Sequence, residues 1–108
     1  MTGKQLTRPH EEAVIERFRK DPEFAAEYLD AILQDGDEGD LLQALQRLSK
    51  AFGGVAEIAE RADLNAKSLY RALSADGNPE IKTLVAILKA MGMRLSVKPL
   101  RDNASISA

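Results

Sequence analysis

Between Leu64 and Ala75 the chain places Lys67, Ser68 and Arg71 within about one helical turn, beside Tyr70, with no carboxylate anywhere in the stretch. Those residue types at that spacing suit recognition rather than bond making. Arg and Lys donate to guanine edges and to phosphate oxygens, and Ser can meet either a base or a phosphate. The chain holds no Cys, which removes thiolate nucleophiles, disulfides and thiolate metal sites. Its single His, His10, stands near the N-terminus without a second imidazole, a poor start for a zinc site or a catalytic triad. No Gly-rich phosphate loop precedes a helix and no paired carboxylates mark a cleft. The expectation is a chain that is not an enzyme and uses no cofactor or metal.

A side chain reads a groove only from a helix held at a fixed angle, so the flanking residues matter as much as the cations. Gly54 to Ala62 reads as a short helix with small Ala59 where a second helix crosses closely. Asp63-Leu64-Asn65 breaks it: Leu64 plugs the turn, and the Asn65 side-chain oxygen caps the next helix, Ala66 to Ser74. Leu69 and Leu73 point inward, leaving Ala66, Lys67, Ser68, Tyr70 and Arg71 outward. This is the pattern of a helix-turn-helix, whose second helix enters the DNA major groove. Asp63 occupies a turn position often held by Gly, and Asp tolerates a positive φ better than most residues. Helix-break-helix segments also serve as scaffolds in bundles that never meet DNA, and Tyr70 at its spacing fits either a surface or a core position.

The remaining elements frame this pair within one domain of 108 residues. Residues 1–20 read as an arm with a possible short helix over Glu11 to Lys20, on which Val14, Ile15 and Phe18 share a face. Asp21-Pro22-Glu23 is a helix start, and Phe24, Tyr28, Leu29, Ile32 and Leu33 follow at helical spacing to about Asp35-Gly36. The acidic run Asp35 to Asp40 fails a calcium-loop test at three positions, where Gly39, Asp40 and Gln46 stand. It reads as a linker with Asp40 capping a helix over Leu41 to Phe52 that Gly53-Gly54 closes. After Asp76-Gly77-Asn78-Pro79 a further helix runs from Glu80 to Met91 with Ile81, Leu84, Val85 and Leu88, and Gly92 stops it. Met93 to Pro99 then alternates apolar and polar, the period of a half-buried strand. The domain is thus expected over 21–100, mainly α with five helices and one C-terminal strand, with a disordered tail over 101–108.

The net charge of −2 conceals two unlike halves. Residues 1–63 hold 8 Lys and Arg against 14 Asp and Glu, a balance of −6, whereas residues 64–101 hold 7 against 2, a balance of +5. Such asymmetry in one domain suggests two surfaces with different partners. Two central cations are a light footprint on DNA, because affinity grows with the phosphates neutralised, and a dimer would double it. A lone strand leaves backbone groups unpaired; pairing Met93–Lys98 across a two-fold axis would satisfy them, and so would pairing with the N-terminal arm or with another protein. No apolar run is long enough to span a bilayer and no signal-peptide pattern opens the chain, so a cytoplasmic location is expected.

Asp21 to Leu29, Gly53-Gly54, Ser68 to Ser74, Gly77-Asn78-Pro79 and Leu95-Ser96-Val97, in that order, resemble the addiction-module antidote family, whose members are helix-turn-helix antitoxins of the Cro/repressor superfamily. The resemblance runs from about Asp21 to Leu100 and implies a lambda-repressor-like fold. It further implies an antitoxin that binds a RelE-like ribonuclease toxin and, as a homodimer, represses its own operon by binding double-stranded operator DNA. Position by position, it assigns DNA reading to Asn65, Ala66, Lys67, Ser68, Tyr70 and Arg71. The acidic half would suit a basic ribonuclease through complementary potentials. A stand-alone regulator without a toxin is the alternative.

Overall fold

A computed structural model describes residues 8–100 of the chain. It contains six helices: α1 (Arg8–Lys20), α2 (Pro22–Asp35), α3 (Glu38–Ala51), α4 (Val55–Ala62), α5 (Ala66–Ala72) and α6 (Ile81–Ala90). The expected disordered tail over 101–108 and the first residues of the expected arm lie outside the described residues.

α2, α3 and α5 each start at a side-chain cap. The Asp21 carboxylate accepts from the Phe24 N–H at 3.1 Å ahead of Pro22 at the first helical position. At α3 the cap is Asp37 rather than the expected Asp40. Asp37 accepts from the Asp40 N–H at 2.8 Å while the Asp40 carboxylate accepts from the Asp37 N–H at 3.0 Å. This reciprocal capping box satisfies two otherwise orphaned donors and starts α3 three residues earlier than the apolar pattern suggests. The acidic run is therefore mostly helix start, not linker, and no group of three or more metal-ligating side chains forms among the described residues.

α1, α2 and α3 pack on one another, α4 packs against α5 and α6, and α3 joins the two groups through α4. The core gathers Phe18, Leu45, Leu48, Ile58, Leu69, Leu73, Ile87 and Leu88, all at most 2% exposed. Phe18 corrects the helix count and the reading of the first residues. The segment expected to be an arm with a possible helix is a full helix whose Phe18 is wholly buried, with ring centroids 5.6 Å from Phe24 and 4.8 Å from Tyr28. Arg47, only 8% exposed, donates to the Tyr28 hydroxyl at 3.0 Å and pairs with Glu11 at 3.7 Å, so α3 holds both α1 and α2 by polar contacts as well. Arg19 of α1 donates to the Ala51 carbonyl at 3.1 Å, meeting an orphaned acceptor at the end of α3.

Two further expectations change. Ile81 is 75% exposed and Leu33 47%, so neither joins the core that the helical spacing assigned them to. The expected C-terminal strand is absent among the described residues. Gly92, at φ 83°, ends α6 as the Met93 N–H reaches back to the Leu88 carbonyl at 2.8 Å. Residues 93–100 then run without regular structure or ladder bonds, because the described residues offer no second strand to pair with.

Because Phe18 fills the junction of three helices, Phe18→Ala should destabilise the protein by about 3–5 kcal/mol through lost transfer energy and a residual cavity. Urea unfolding followed by circular dichroism checks this; an unchanged midpoint would mean that α1 is dispensable.

Candidate nucleic-acid interface

α4 and α5 are the two helices expected to make a helix-turn-helix, and the turn between them is fixed by backbone bonds. Asp63 sits in the left-handed region at φ 60° and ψ 44°. This lets the Leu64 N–H reach the Ala59 carbonyl at 2.8 Å and the Asp63 N–H reach the Glu60 carbonyl at 3.2 Å. The pair of bonds closes α4 as a Schellman motif and aims the chain into α5. Leu64 packs half-buried against the core, and Ala59, 1% exposed, lies at the helix crossing as its size demanded.

The Asn65 side-chain Oδ1 accepts from the Ser68 N–H at 2.8 Å, which caps α5. Leu69 at 2% and Leu73 at 1% exposure anchor the inner face. α5 ends at Ala72, two residues short of the expected Ser74, because Leu73 and Ser74 already bend into the turn. Gly77 sets that turn: a Cβ there would lie 2.0 Å from the Ala72 carbonyl oxygen, so only Gly permits so close an approach. Gln46 of α3 donates to the Leu73 carbonyl and so ties the end of α5 to the other half of the molecule. Sequence reasoning missed Gln46, because it is one ordinary polar residue on an amphipathic helix and only the packing reveals its partner.

The outward face is now defined. Lys67, Ser68, Tyr70 and Arg71 are exposed, Tyr70 to 57%, which settles its placement as surface rather than core. Lys67 and Arg71 stand one turn apart on the same face. Asn65 is exposed but spends its oxygen on the cap, leaving its amide N–H groups for a ligand, and Ala66 is half-buried against the core. Beside α5 a cleft of about 180 Å³ opens between Asn65 and Ser68 on one wall and Asn78, Pro79, Glu80 and Thr83 on the other. The α4 and α6 N-termini, at Gly54 and Glu80, carry no side-chain cap bond, so their first N–H groups remain available to an acceptor such as a phosphate oxygen.

Electrostatics separates the two halves further. Among the described residues every ion pair draws its cation from the first 61 positions: Arg17, Arg19, Lys20, Arg47, Lys50 and Arg61. Lys67, Arg71, Lys82, Lys89, Arg94 and Lys98 have no carboxylate partner there.

A family described as "Probable addiction module antidote protein" matches residues 12–99. The chain belongs to this family. Over 74 residues the antidote-family chain is also 34% identical to an "Uncharacterized protein" of Haemophilus influenzae, a stretch covering 68% of this chain and 75% of that one. No solved structure matches it. The family is one of antidotes and not of catalysts. An antidote implies a toxin as partner in general, and no described helix is long and apolar enough to cross a membrane.

Asp63 holds a left-handed conformation that Gly adopts without strain, so Asp63→Gly should stabilise this antidote-family protein by about 0.5–1 kcal/mol. A melting temperature raised by a few degrees in calorimetry is the expected result; a lowered one would mean that the Asp63 side chain contributes a bond of its own.

Proposed function

We propose that this protein is a sequence-specific DNA-binding antitoxin that acts in the cytoplasm, represses its own operon as a homodimer and neutralises a RelE-like ribonuclease. The observation that carries the DNA part is the outward face of α5. Lys67, Ser68 and Arg71 are exposed, free of intramolecular carboxylates, and presented on a helix capped by Asn65 and anchored by Leu69. In this reading α5 lies in the major groove, Arg71 and Lys67 meet guanine edges or phosphates, and Ser68, Tyr70, Ala66 and the Asn65 amide complete the contact. The N-termini of α4 and α6 take flanking phosphates. Antitoxin action is supported by the family, and the acidic first half of the chain, with Glu23 and Glu38 exposed, suits a basic toxin.

The dimer part rests on the segment Met93–Lys98, an unpaired run with Leu95 and Val97 exposed to 41% and 96%. Two copies joined there double the phosphate contacts and set two reading helices about 34 Å apart on successive turns of one DNA face.

Fluorescence anisotropy on DNA from directly upstream of the gene, against scrambled DNA across a salt series, tests the reading. Alanine at both Lys67 and Arg71 should abolish the preference for the upstream DNA and reduce the salt slope by about 2, with helical circular dichroism unchanged. Equal weak binding of both DNAs by the parent protein and the variant would instead make the helix-turn-helix a scaffold. Val97→Asp should weaken dimerisation and DNA binding together, read by sedimentation and anisotropy; a variant that remains dimeric would remove Met93–Lys98 from the interface.

A further inference from the structure

A groove of about 400 Å³ runs between α2 and the segment that follows Gly92. Its α2 wall carries Glu27, Asp30 and Leu33; its other wall carries Arg94, Leu95 and Lys98. α2 bears no Lys or Arg at all, and its Glu27 and Asp30 are exposed, Asp30 receiving only a hydrogen bond from Gln34 at 3.0 Å. Along the opposite wall burial falls from Met93, half-buried on the core, through Leu95 at 41% exposed to Val97 at 96%, with Leu100 at 70%. Apolar side chains thus climb out of the fold beside an acidic ridge.

An occupant must supply apolar side chains on one face, cations near the ridge, and an extended backbone. The segment 93–98 itself has this composition, with Met93, Leu95 and Val97 alternating with Arg94, Ser96 and Lys98. We infer that the groove receives the same segment of a second copy, antiparallel and centred on Leu95, with Glu27 and Asp30 taking the incoming Arg94 and Lys98. The inference rests on the dimer reading above and goes beyond it by fixing the register and by making α2 part of the interface.

The register follows from symmetry. In an antiparallel pair related by a two-fold axis, opposed residues share one face of the ribbon. Apolar therefore meets apolar only when the axis passes through a residue rather than between two. Centring on Leu95 sets Leu95 against its own counterpart, Met93 against Val97, and Arg94 against Ser96. Centring on Ser96 sets Arg94 against Lys98 and Met93 against Pro99, a like-charge pair and a residue without an N–H, both unfavourable. The ridge acids also match this dimer, since each copy offers two carboxylates and two cations to the other.

Sedimentation equilibrium of three full-length proteins tests the inference. Glu27→Lys with Asp30→Lys should weaken the dimer by about tenfold or more, and adding Arg94→Glu with Lys98→Glu should restore it to within about threefold. All four positions are exposed, so circular dichroism should match the parent protein in each. Independently, because the chain has no Cys, Leu95→Cys should cross-link to a disulfide dimer under mild oxidation, whereas Ser96→Cys should not. A dimer indifferent to the α2 charge reversal, or one that cross-links at Ser96→Cys in preference to Leu95→Cys, overturns the inference while leaving the dimer reading intact. A parent chain that stays monomeric at high micromolar concentration overturns both, and assigns the groove to a different protein.

Discussion

The direction of the outward face of α5 depends on one residue in a left-handed conformation. Asp63 at φ 60° lets the chain leave α4 and enter α5 within three residues, with both of its closing bonds made to carbonyls that α4 would otherwise leave orphaned. That turn lets Leu64 seat against the core and lets α5 pack on α4 with Leu69 buried. The angle of α5, and with it the direction of Lys67 and Arg71, is set by these backbone bonds at one end. At the other it is set by the Gly77 turn and the Gln46 contact to Leu73. The outer face itself carries almost no structural duty, which leaves its side chains free for a ligand.

The same separation of duties appears in the charges. In the first half of the chain, cations are spent on structure: Arg47 braces α1 and α2 from within, Arg19 meets the end of α3, and Arg61 both pairs with Glu57 at 3.2 Å and reaches the Ala90 carbonyl at 3.5 Å. In the second half they are held in reserve, exposed and without carboxylates among the described residues. Exposed pairs contribute little to stability, so the unpaired cations cost the fold almost nothing. Arg47 differs, being nearly buried, since removing one partner there would strand a charge away from water.

Much of the α4–α5 geometry was legible in the residues themselves. α4 spans Val55–Ala62 as the apolar spacing indicated, Asn65 caps α5 as its type and position indicated, and Leu69 and Leu73 are buried. These features are local: a cap, a turn and a four-residue period are decided by atoms a few residues apart. The misreadings have equally physical causes. Asp37 took the cap from Asp40 because two acids three residues apart make a reciprocal box, a choice that apolar periodicity does not register. The first helix looked marginal alone because its value lies in Phe18, whose partners Phe24 and Tyr28 belong to the next element.

By itself the sequence determined where most helices lie, which residues anchor α5, and that one short helix would present cations without acids. These outcomes follow from backbone hydrogen bonding and short-range sterics. Only the tertiary structure decided that α1 is part of the core, that Ile81 and Leu33 stand in solvent, that Gln46 steadies the end of α5, and that Met93 to Leu100 finds no partner strand among the described residues. Each of those depends on which surfaces meet across long stretches of sequence. A period of 3.6 or 2 says that a face is apolar, but not what covers it.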